Sequence, residues 1–164
     1  MLSLIEFILN RNYIHRSIKP AQFLMGRGLK KNKVYITPFH SSKRYRDTIS
    51  GLHLPYKEGL GFRGTVNFAS INQLKGNEQS RRYDIEGLGY TLLYFLKGSF
   101  PWNNVKAKTY EERVEKVKEI KMNTSLDIIC NGCPEEFITF IQNSRDLKFK
   151  DRPDYEFKKN FETN

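Results

Sequence analysis

The stretch RYDIEGLGYTLLYFLK, residues 82–97, is apolar on nearly every side after Asp84. A helix that is hydrophobic all round is normally buried inside its domain, whereas a surface helix keeps one polar face. The stretch therefore predicts a buried central helix, and the other elements of the chain are expected to pack around it.

Three further segments have the patterns of helices that surround such a centre. Residues 106–122 carry one narrow apolar stripe in an otherwise charged sequence, which predicts a surface helix. The stripe consists of Tyr110, Val114, Val117 and Ile120. Residues 134–147 open with a proline and two glutamates, which the first turn of a helix favours. Residues 2–9 form a short apolar run, which predicts a buried helical segment.

Little of the chain favours strands. Residues 34–36 are β-branched and aromatic, which predicts one short strand. Residues 38–64 show no sustained period and predict a long ordered loop, a feature that is commonly functional in a compact domain. A last short helix is expected to open at Asp151. The predicted fold class is mainly α with a trace of β.

The 164 residues suit one compact domain, and neither repeats nor linkers divide them. No run of about 18 apolar residues is present, so a membrane span is not expected. Residues 1–16 lack the basic region and the cleavage site of a signal peptide, which favours an intracellular, cytoplasmic protein. Cys130 and Cys133 form an isolated pair with too few ligands for a zinc site, so no metal is expected.

The chain has a formal net charge of +10 at pH 7, and residues 1–50 contribute +8 of it. Such a basic segment indicates an anionic partner, either an acidic protein surface, nucleic acid or phosphate, with a solvated basic face as an equal alternative. Nucleic acid is disfavoured because no aromatic–basic stacking module accompanies the charge. The candidate contact face consists of Lys30, Lys31, Lys33, Lys43, Arg44 and Arg46.

A second stretch, HRSIKPAQFL at residues 15–24, belongs to a set of motifs that run through the chain in order. The later motifs are Val34-Tyr35-Ile36, Pro55-Tyr56, Gly64-Thr65, Ala69-Ser70-Ile71-Asn72, Glu78-Gln79-Ser80-Arg81-Arg82, Gly98-Ser99-x-Pro101-Trp102 and Pro153-Asp154-Tyr155. The set resembles the C-terminal lobe of the casein kinase 1 family of Ser/Thr protein kinases, over essentially the whole chain. The Ser-Ile-Asn that follows Ala69 is close to a fingerprint of that family.

This resemblance implies a protein kinase-like C-lobe, which is a helical bundle around a central buried helix with a short β-hairpin. It covers residues 1–164 as a single domain that is truncated within the first long helix of the lobe. The family's N-lobe, whose glycine-rich loop and strand lysine hold half of the ATP, has no counterpart here. Either the protein is a half-kinase, or an N-lobe lies upstream of Met1.

The same resemblance places three altered residues and one retained lysine at the positions where the family performs its chemistry. Ser17 stands where a carboxylate accepts the proton of the substrate hydroxyl. Pro38 replaces the aspartate that holds Mg²⁺, and Gln22 replaces the asparagine that binds a second Mg²⁺. Lys19 matches the lysine that contacts the transferred phosphate. No catalytic residue is therefore expected, and binding of ATP and Mg²⁺ is predicted to be lost.

The residues that hold this lobe together are retained. Asp84 matches the buried aspartate of the central helix that anchors the backbone of the catalytic loop. His15 and Phe39 match the inner stack that ties the loop to that helix, and Arg16 is also present. This pattern is expected where selection maintains the fold of the lobe but not its catalytic activity. His15 is therefore expected to be a buried structural residue and not a catalyst.

The leading functional hypothesis is a pseudokinase lobe that acts as a structural or docking module in a larger assembly. Its catalytic-loop face would expose an apolar floor around Phe23, Leu24 and Ile36, which invites an acidic protein partner. The rival is an active casein kinase 1-type Ser/Thr kinase whose N-lobe is missing from this sequence. A third hypothesis is a basic module that binds nucleic acid or an acidic protein surface.

Overall fold

The structure, a computed structural model, describes residues 1–155. Helices contain 43% of these residues and strands 8%, which confirms the prediction of a mainly helical fold. The longest helix, α3 (Arg81–Lys97), lies at the centre, and its Leu88, Tyr90 and Leu93 side chains have no exposed surface. The stretch that is apolar all round is therefore the buried central helix that it predicted.

Two glycines in α3 permit its close packing. A Cβ atom at Gly89 would lie 2.7 Å from Cγ1 of Ile141, which belongs to the neighbouring helix α6 (Glu136–Asp146). Glycine inside a helix costs about 1 kcal/mol relative to alanine. Here the missing side chain lets two buried helices approach, and the apolar surface they bury offsets that cost.

Four other α-helices of residues 1–155 surround α3 and α6. They are α1 (Leu2–Leu9), α2 (Ile71–Leu74), α4 (Tyr110–Asn123) and α5 (Leu126–Ile129). The bounds of α1 are those predicted. Helix α4 begins later than predicted because Thr109 caps it: the Thr109 hydroxyl accepts a hydrogen bond from the amide of Glu112 at 3.1 Å. Helix α6 begins two residues after Pro134, whereas the sequence predicted a proline within its first turn.

Two antiparallel strand pairs form the small β component. Strands β1 (Tyr13–Ile14) and β4 (Lys43–Arg44) make one pair, and β2 (Phe23–Met25) and β3 (Val34–Ile36) make the other. Only β3 was predicted from the sequence. The others are two or three residues long, which is too short for a period of two to be detected.

The predicted loop over residues 38–64 is largely irregular, but it contains β4 and an isolated bridge between Arg46 and His53. The loop is attached to the helical core at Tyr45, whose buried hydroxyl donates to the carbonyl of Leu9 at 2.7 Å. The His53 ring packs between the rings of Tyr45 and Phe149, with centroids 5.3 and 4.8 Å away. These contacts explain why a segment without a sequence period is ordered.

The C-terminal prediction lies mostly outside the described residues. Residues 151–155 contain no helix, and the rest of the short helix expected from Asp151 falls beyond residue 155. Within residues 1–155, none of the helices combines the length and the apolar character that crossing a membrane requires.

Candidate functional site

The site is built on one buried carboxylate of the central helix. Asp84, in the first turn of α3, is 3% exposed. Its Oδ2 accepts a hydrogen bond from the amide of His15 at 2.6 Å, and its Oδ1 accepts one from the amide of Arg16 at 2.9 Å. These two bonds attach the start of the 15–22 loop to the core of the domain.

Arg16 adopts a backbone conformation that few non-glycine residues accept. Its φ angle is 66°, in the left-handed region. The Asp84 bond to its amide holds this conformation, and the Arg16 Nε donates to the carbonyl of Ser41 at 2.5 Å. Such a conformation persists only where the surroundings enforce it. The loop therefore has a defined shape that depends on Asp84.

His15 is a packed core residue. Its ring has no exposed surface and meets the ring of Phe39 edge-on, with centroids 5.4 Å apart. Burial, assisted by the charge of His40, lowers the pKa of His15 to about 4, while the backbone carbonyl of Pro38 opposes this shift. The imidazole is therefore neutral near pH 7, as a residue that packs against Phe39 should be.

The side chains that follow in the loop contact one another or the neighbouring segment. The side-chain amide of Gln22 lies 3.5 Å from the Ser17 hydroxyl. Lys19 Nζ donates to the Thr65 hydroxyl at 3.1 Å. The amide of Thr37 donates to the carbonyl of Gln22 at 2.9 Å, which brings Pro38 alongside the loop. The structure thus gathers Ser17, Lys19, Gln22 and Pro38 around the same loop.

This arrangement does not fit Mg²⁺, which prefers several carboxylate, phosphate or water oxygens in octahedral geometry. The hydroxyl of Ser17 is a weak ligand, and Pro38 has no side-chain oxygen. Both oxygens of Asp84 already accept backbone amides. Among residues 1–155, no group of three or more His, Cys, Asp or Glu side chains could hold a metal ion.

Asp84 and His15 should affect stability with opposite dependence on pH. Burial raises the pKa of Asp84 to about 6, against the hydrogen bonds from His15 and Arg16. As the pH falls from 7 to 4, the Asp84 carboxyl takes up a proton at a higher pH in the folded chain than in the unfolded chain. This difference favours the folded chain, so the contribution of Asp84 to the free energy of unfolding rises as the pH falls. The His15 pKa of about 4 acts in the other direction, since the unfolded imidazole protonates first. Each effect corresponds to about 3 kcal/mol over this range.

We therefore expect His15→Leu and Asp84→Asn to change the pH dependence of stability in opposite directions. Relative to the parent, His15→Leu should gain stability on going from pH 7 to pH 4, and Asp84→Asn should lose it. Urea titrations at several pH values measure both slopes, and each variant is compared with its own value at pH 7. Parallel pH profiles for the two variants would contradict the assignment.

The six basic residues of the predicted contact face differ in their local partners. Lys43 makes an ion pair with Glu78 at 3.0 Å. Arg44 lies over the ring of Tyr13, and Arg46 donates to the carbonyl of Gly51 within its own loop. The other three residues, Lys30, Lys31 and Lys33, are exposed in the connection between β2 and β3. Lys43 therefore has its charge paired within the fold, whereas Arg44 and Arg46 are exposed.

A second group of basic residues lies beside the loop. Arg16, Lys57 and Arg63 line a cavity of about 220 Å³ together with the ion pair of Lys43 and Glu78. Burial, and after it the charge of Arg63, lowers the pKa of Arg16, and both residues line this cavity. The loop face therefore carries more positive charge than the β2–β3 connection alone supplies.

The apolar surface near the loop is also arranged differently from the expected floor. Phe23 and Ile36 pair across the hairpin and are half-buried, whereas Leu24 lies on its other face and is 49% exposed. The structure instead contains a groove of about 740 Å³ between α1 and β3, which Ile36 and Phe39 line. Only Ile36 belongs to both the expected floor and the observed groove.

The surface-helix prediction for residues 106–122 was wrong at Lys121, which has no exposed surface. Its Nζ donates to the carbonyls of Asn67 and Ala69 at 3.0 and 2.6 Å. It also lies 4.1 Å from the ring centroid of Tyr90 and 4.6 Å from that of Trp102. Burial holds the pKa of Lys121 well below its usual value.

A signal for Lys121 was present in the sequence. Val114, Val117 and Lys121 follow the spacing i, i+3, i+7, which places them on one face of α4. Val114 and Val117 are both buried, so the third position on that face is buried as well. A lysine can occupy it because its amine reaches the backbone carbonyls of Asn67 and Ala69.

A comparison of the chain with known protein families found no match. The resemblance to the casein kinase 1 family therefore rests on the motifs themselves.

Proposed function

We propose that the chain is a catalytically inactive, casein kinase 1-like pseudokinase lobe that acts as a docking module in a protein assembly. The hydrogen bonds from the His15 and Arg16 amides to Asp84 carry this proposal. They give the loop at residues 15–22 a fixed shape on the central helix. The positions where the family has its base and its Mg²⁺ ligands hold Ser17, Gln22 and Pro38, and none of these side chains is a carboxylate. A loop that is held firmly but lacks these groups is suited to contact and not to phosphate transfer.

The loss of activity follows from the chemistry of the substituted residues. Removing a positioned general base typically lowers a rate by roughly 10²–10⁴-fold. Phosphoryl transfer also depends on metal ions that neutralise charge on the β- and γ-phosphates. Pro38 cannot bind such an ion, and Gln22 is buried with its amide near Ser17. We propose that the chain binds neither ATP nor Mg²⁺ productively.

The proposed partner is an acidic protein segment that covers the catalytic-loop face, in the cytoplasm. Positive charge and apolar surface occur side by side there. Lys33 lines the groove between α1 and β3, and Arg16, Lys57 and Arg63 line the neighbouring cavity. Complementary charge accelerates encounter, and buried apolar surface supplies most of the affinity.

A phosphotransfer assay tests the proposal against the rival of an active kinase. The full chain is incubated with Mg-ATP and either casein or an acidic peptide, and we expect no incorporation of radiolabel above background. Ser17→Asp alone should not restore activity, because position 38 still lacks a carboxylate. Incorporation by the parent chain that Lys19→Ala abolishes would favour the kinase.

A further inference from the structure

One edge of β3 has unused backbone groups. The amide of Gly26 donates to the carbonyl of Lys33, and the amide of Thr37 donates to the carbonyl of Gln22, both at 2.9 Å. In an antiparallel pair, hydrogen-bonded positions alternate with positions that are not hydrogen-bonded. The N–H and C=O groups of Val34 and Ile36 therefore point away from β2. No strand within residues 1–155 pairs with that outer edge.

The groove between α1 and β3 meets β3 at this edge. A cavity above the face of a strand is lined by alternate residues, because successive side chains point to opposite sides. Here four consecutive residues, 33–36, line the groove. Leu4, Phe7 and Ile8 of α1 form its opposite wall, and Phe7 is 53% exposed. The groove thus combines an apolar wall with a row of backbone donors and acceptors.

The charged residues of the groove have one sign. Arg11 and Lys33 line it, and none of the described residues that line it is acidic. Glu6, the acid of α1, lies on the other side of that helix, since Leu4, Ile8 and Arg11 occupy the face toward the groove. A partner that enters the groove therefore meets cations without competing carboxylates.

We propose that an extended segment of a partner protein binds in this groove as a third strand beside β3, with acidic residues flanking an apolar centre. The inference rests on the docking function proposed above and specifies the form of the partner. An added strand would pair with the outward groups of Val34 and Ile36 and place alternate side chains against α1. A helix would not, because its backbone groups are already bonded internally. Since β3 spans three residues, the paired segment is short, roughly 10 Å long.

Backbone methylation of a probe peptide tests strand pairing without altering the protein. The probe is a fluorescein-labelled Glu-Glu-Val-Thr-Val-Glu-Glu peptide, and its binding to the full chain is measured by fluorescence anisotropy. In one derivative the two valine nitrogens are methylated, and in the other the threonine nitrogen is methylated. Only one of these sets can face β3. We expect one derivative to bind about tenfold more weakly or worse, and the other to bind like the parent peptide.

Two protein variants locate the binding edge. Val34→Pro removes an outward N–H group that no native strand uses, whereas Val34→Ala shortens the side chain and keeps that group. Proline is tolerated on an edge strand when its nitrogen faces away from the sheet. Val34→Pro should weaken binding of the probe by about tenfold relative to Val34→Ala. Circular dichroism of both variants verifies that they fold.

Two further comparisons vary the charge of the probe peptide and its conformation. A Lys-Lys-Val-Thr-Val-Lys-Lys probe should bind more weakly than the acidic probe, and Lys33→Glu should reduce this difference. Equal effects of the two methylation patterns would overturn strand pairing. So would stronger binding of an acidic probe held helical by a hydrocarbon staple, although docking in the groove would then stand. If no probe binds, the strand inference fails, while the inactive lobe is judged separately by the phosphotransfer assay.

Discussion

Asp84→Ala is expected to lower the free energy of unfolding by about 2–6 kcal/mol, the largest effect of any single change near the loop. The variant leaves the amides of His15 and Arg16 without their acceptor in a region where Asp84 is 3% exposed. A buried donor that loses its partner costs about 1–3 kcal/mol, and two donors are involved. The left-handed conformation of Arg16 also loses a bond that holds it.

Ser17→Ala is the matched control for this prediction. The Ser17 hydroxyl makes one long contact, 3.5 Å from the Gln22 amide, so its removal should change stability by no more than about 0.5 kcal/mol. Guanidinium unfolding followed by circular dichroism measures both variants. If Asp84→Ala unfolds at the denaturant concentration of the parent while Ser17→Ala loses several kcal/mol, the loop is not held through Asp84.

Lys121→Ala is expected to lower the free energy of unfolding by about 3–5 kcal/mol, close to the range for truncating a large buried side chain. The substitution removes a side chain with no exposed surface, whose amine lies over the rings of Tyr90 and Trp102 and donates to the carbonyls of Asn67 and Ala69. It also relieves the cost of burying a charge, which is why the loss stays within that range.

Two variants separate these contributions. Lys121→Met keeps most of the packing volume and removes the donor, so it should lose about half as much stability as Lys121→Ala. Lys118→Ala, on the same helix, removes an ion pair with Glu115, which is 57% exposed, and should cost less than about 1 kcal/mol. Thermal and denaturant unfolding are measured for all three. Equal losses at Lys121→Ala and Lys118→Ala would show that the buried amine contributes nothing beyond a surface charge.

Parts of the fold could be read from the sequence because their patterns are long and local. The all-round apolar stretch within α3 identified the buried centre, and the bounds of α1 were predicted correctly. The strands β1, β2 and β4 could not be found in this way. Strands of two or three residues form because the connections around them bring distant segments together, and that information is not local.

The sequence predicted which residues belong to the site but not the contacts that those residues make. Motif order placed Ser17, Lys19 and Gln22 in one loop and Pro38 in a later segment, and the hydrogen bond from Thr37 to Gln22 brings Pro38 alongside that loop. The basic contact face was predicted by charge alone, and the structure adds that Lys43 pairs with Glu78 and that Arg46 donates to a carbonyl of its own loop. Net charge is a property of composition, but which charges are free depends on neighbours that are distant in sequence.

The sequence by itself determined which segments are buried helices and which residues stand in the 15–22 loop. Both depend on the hydrophobic period and on residue identity, which are local properties of the sequence. The tertiary structure alone decided which backbone carbonyls surround the Lys121 amine and where the groove meets the edge of β3. Both depend on long-range packing. A lysine is stable in the core only where folding supplies carbonyls and rings around its amine, and a strand edge is available only where no other segment covers it.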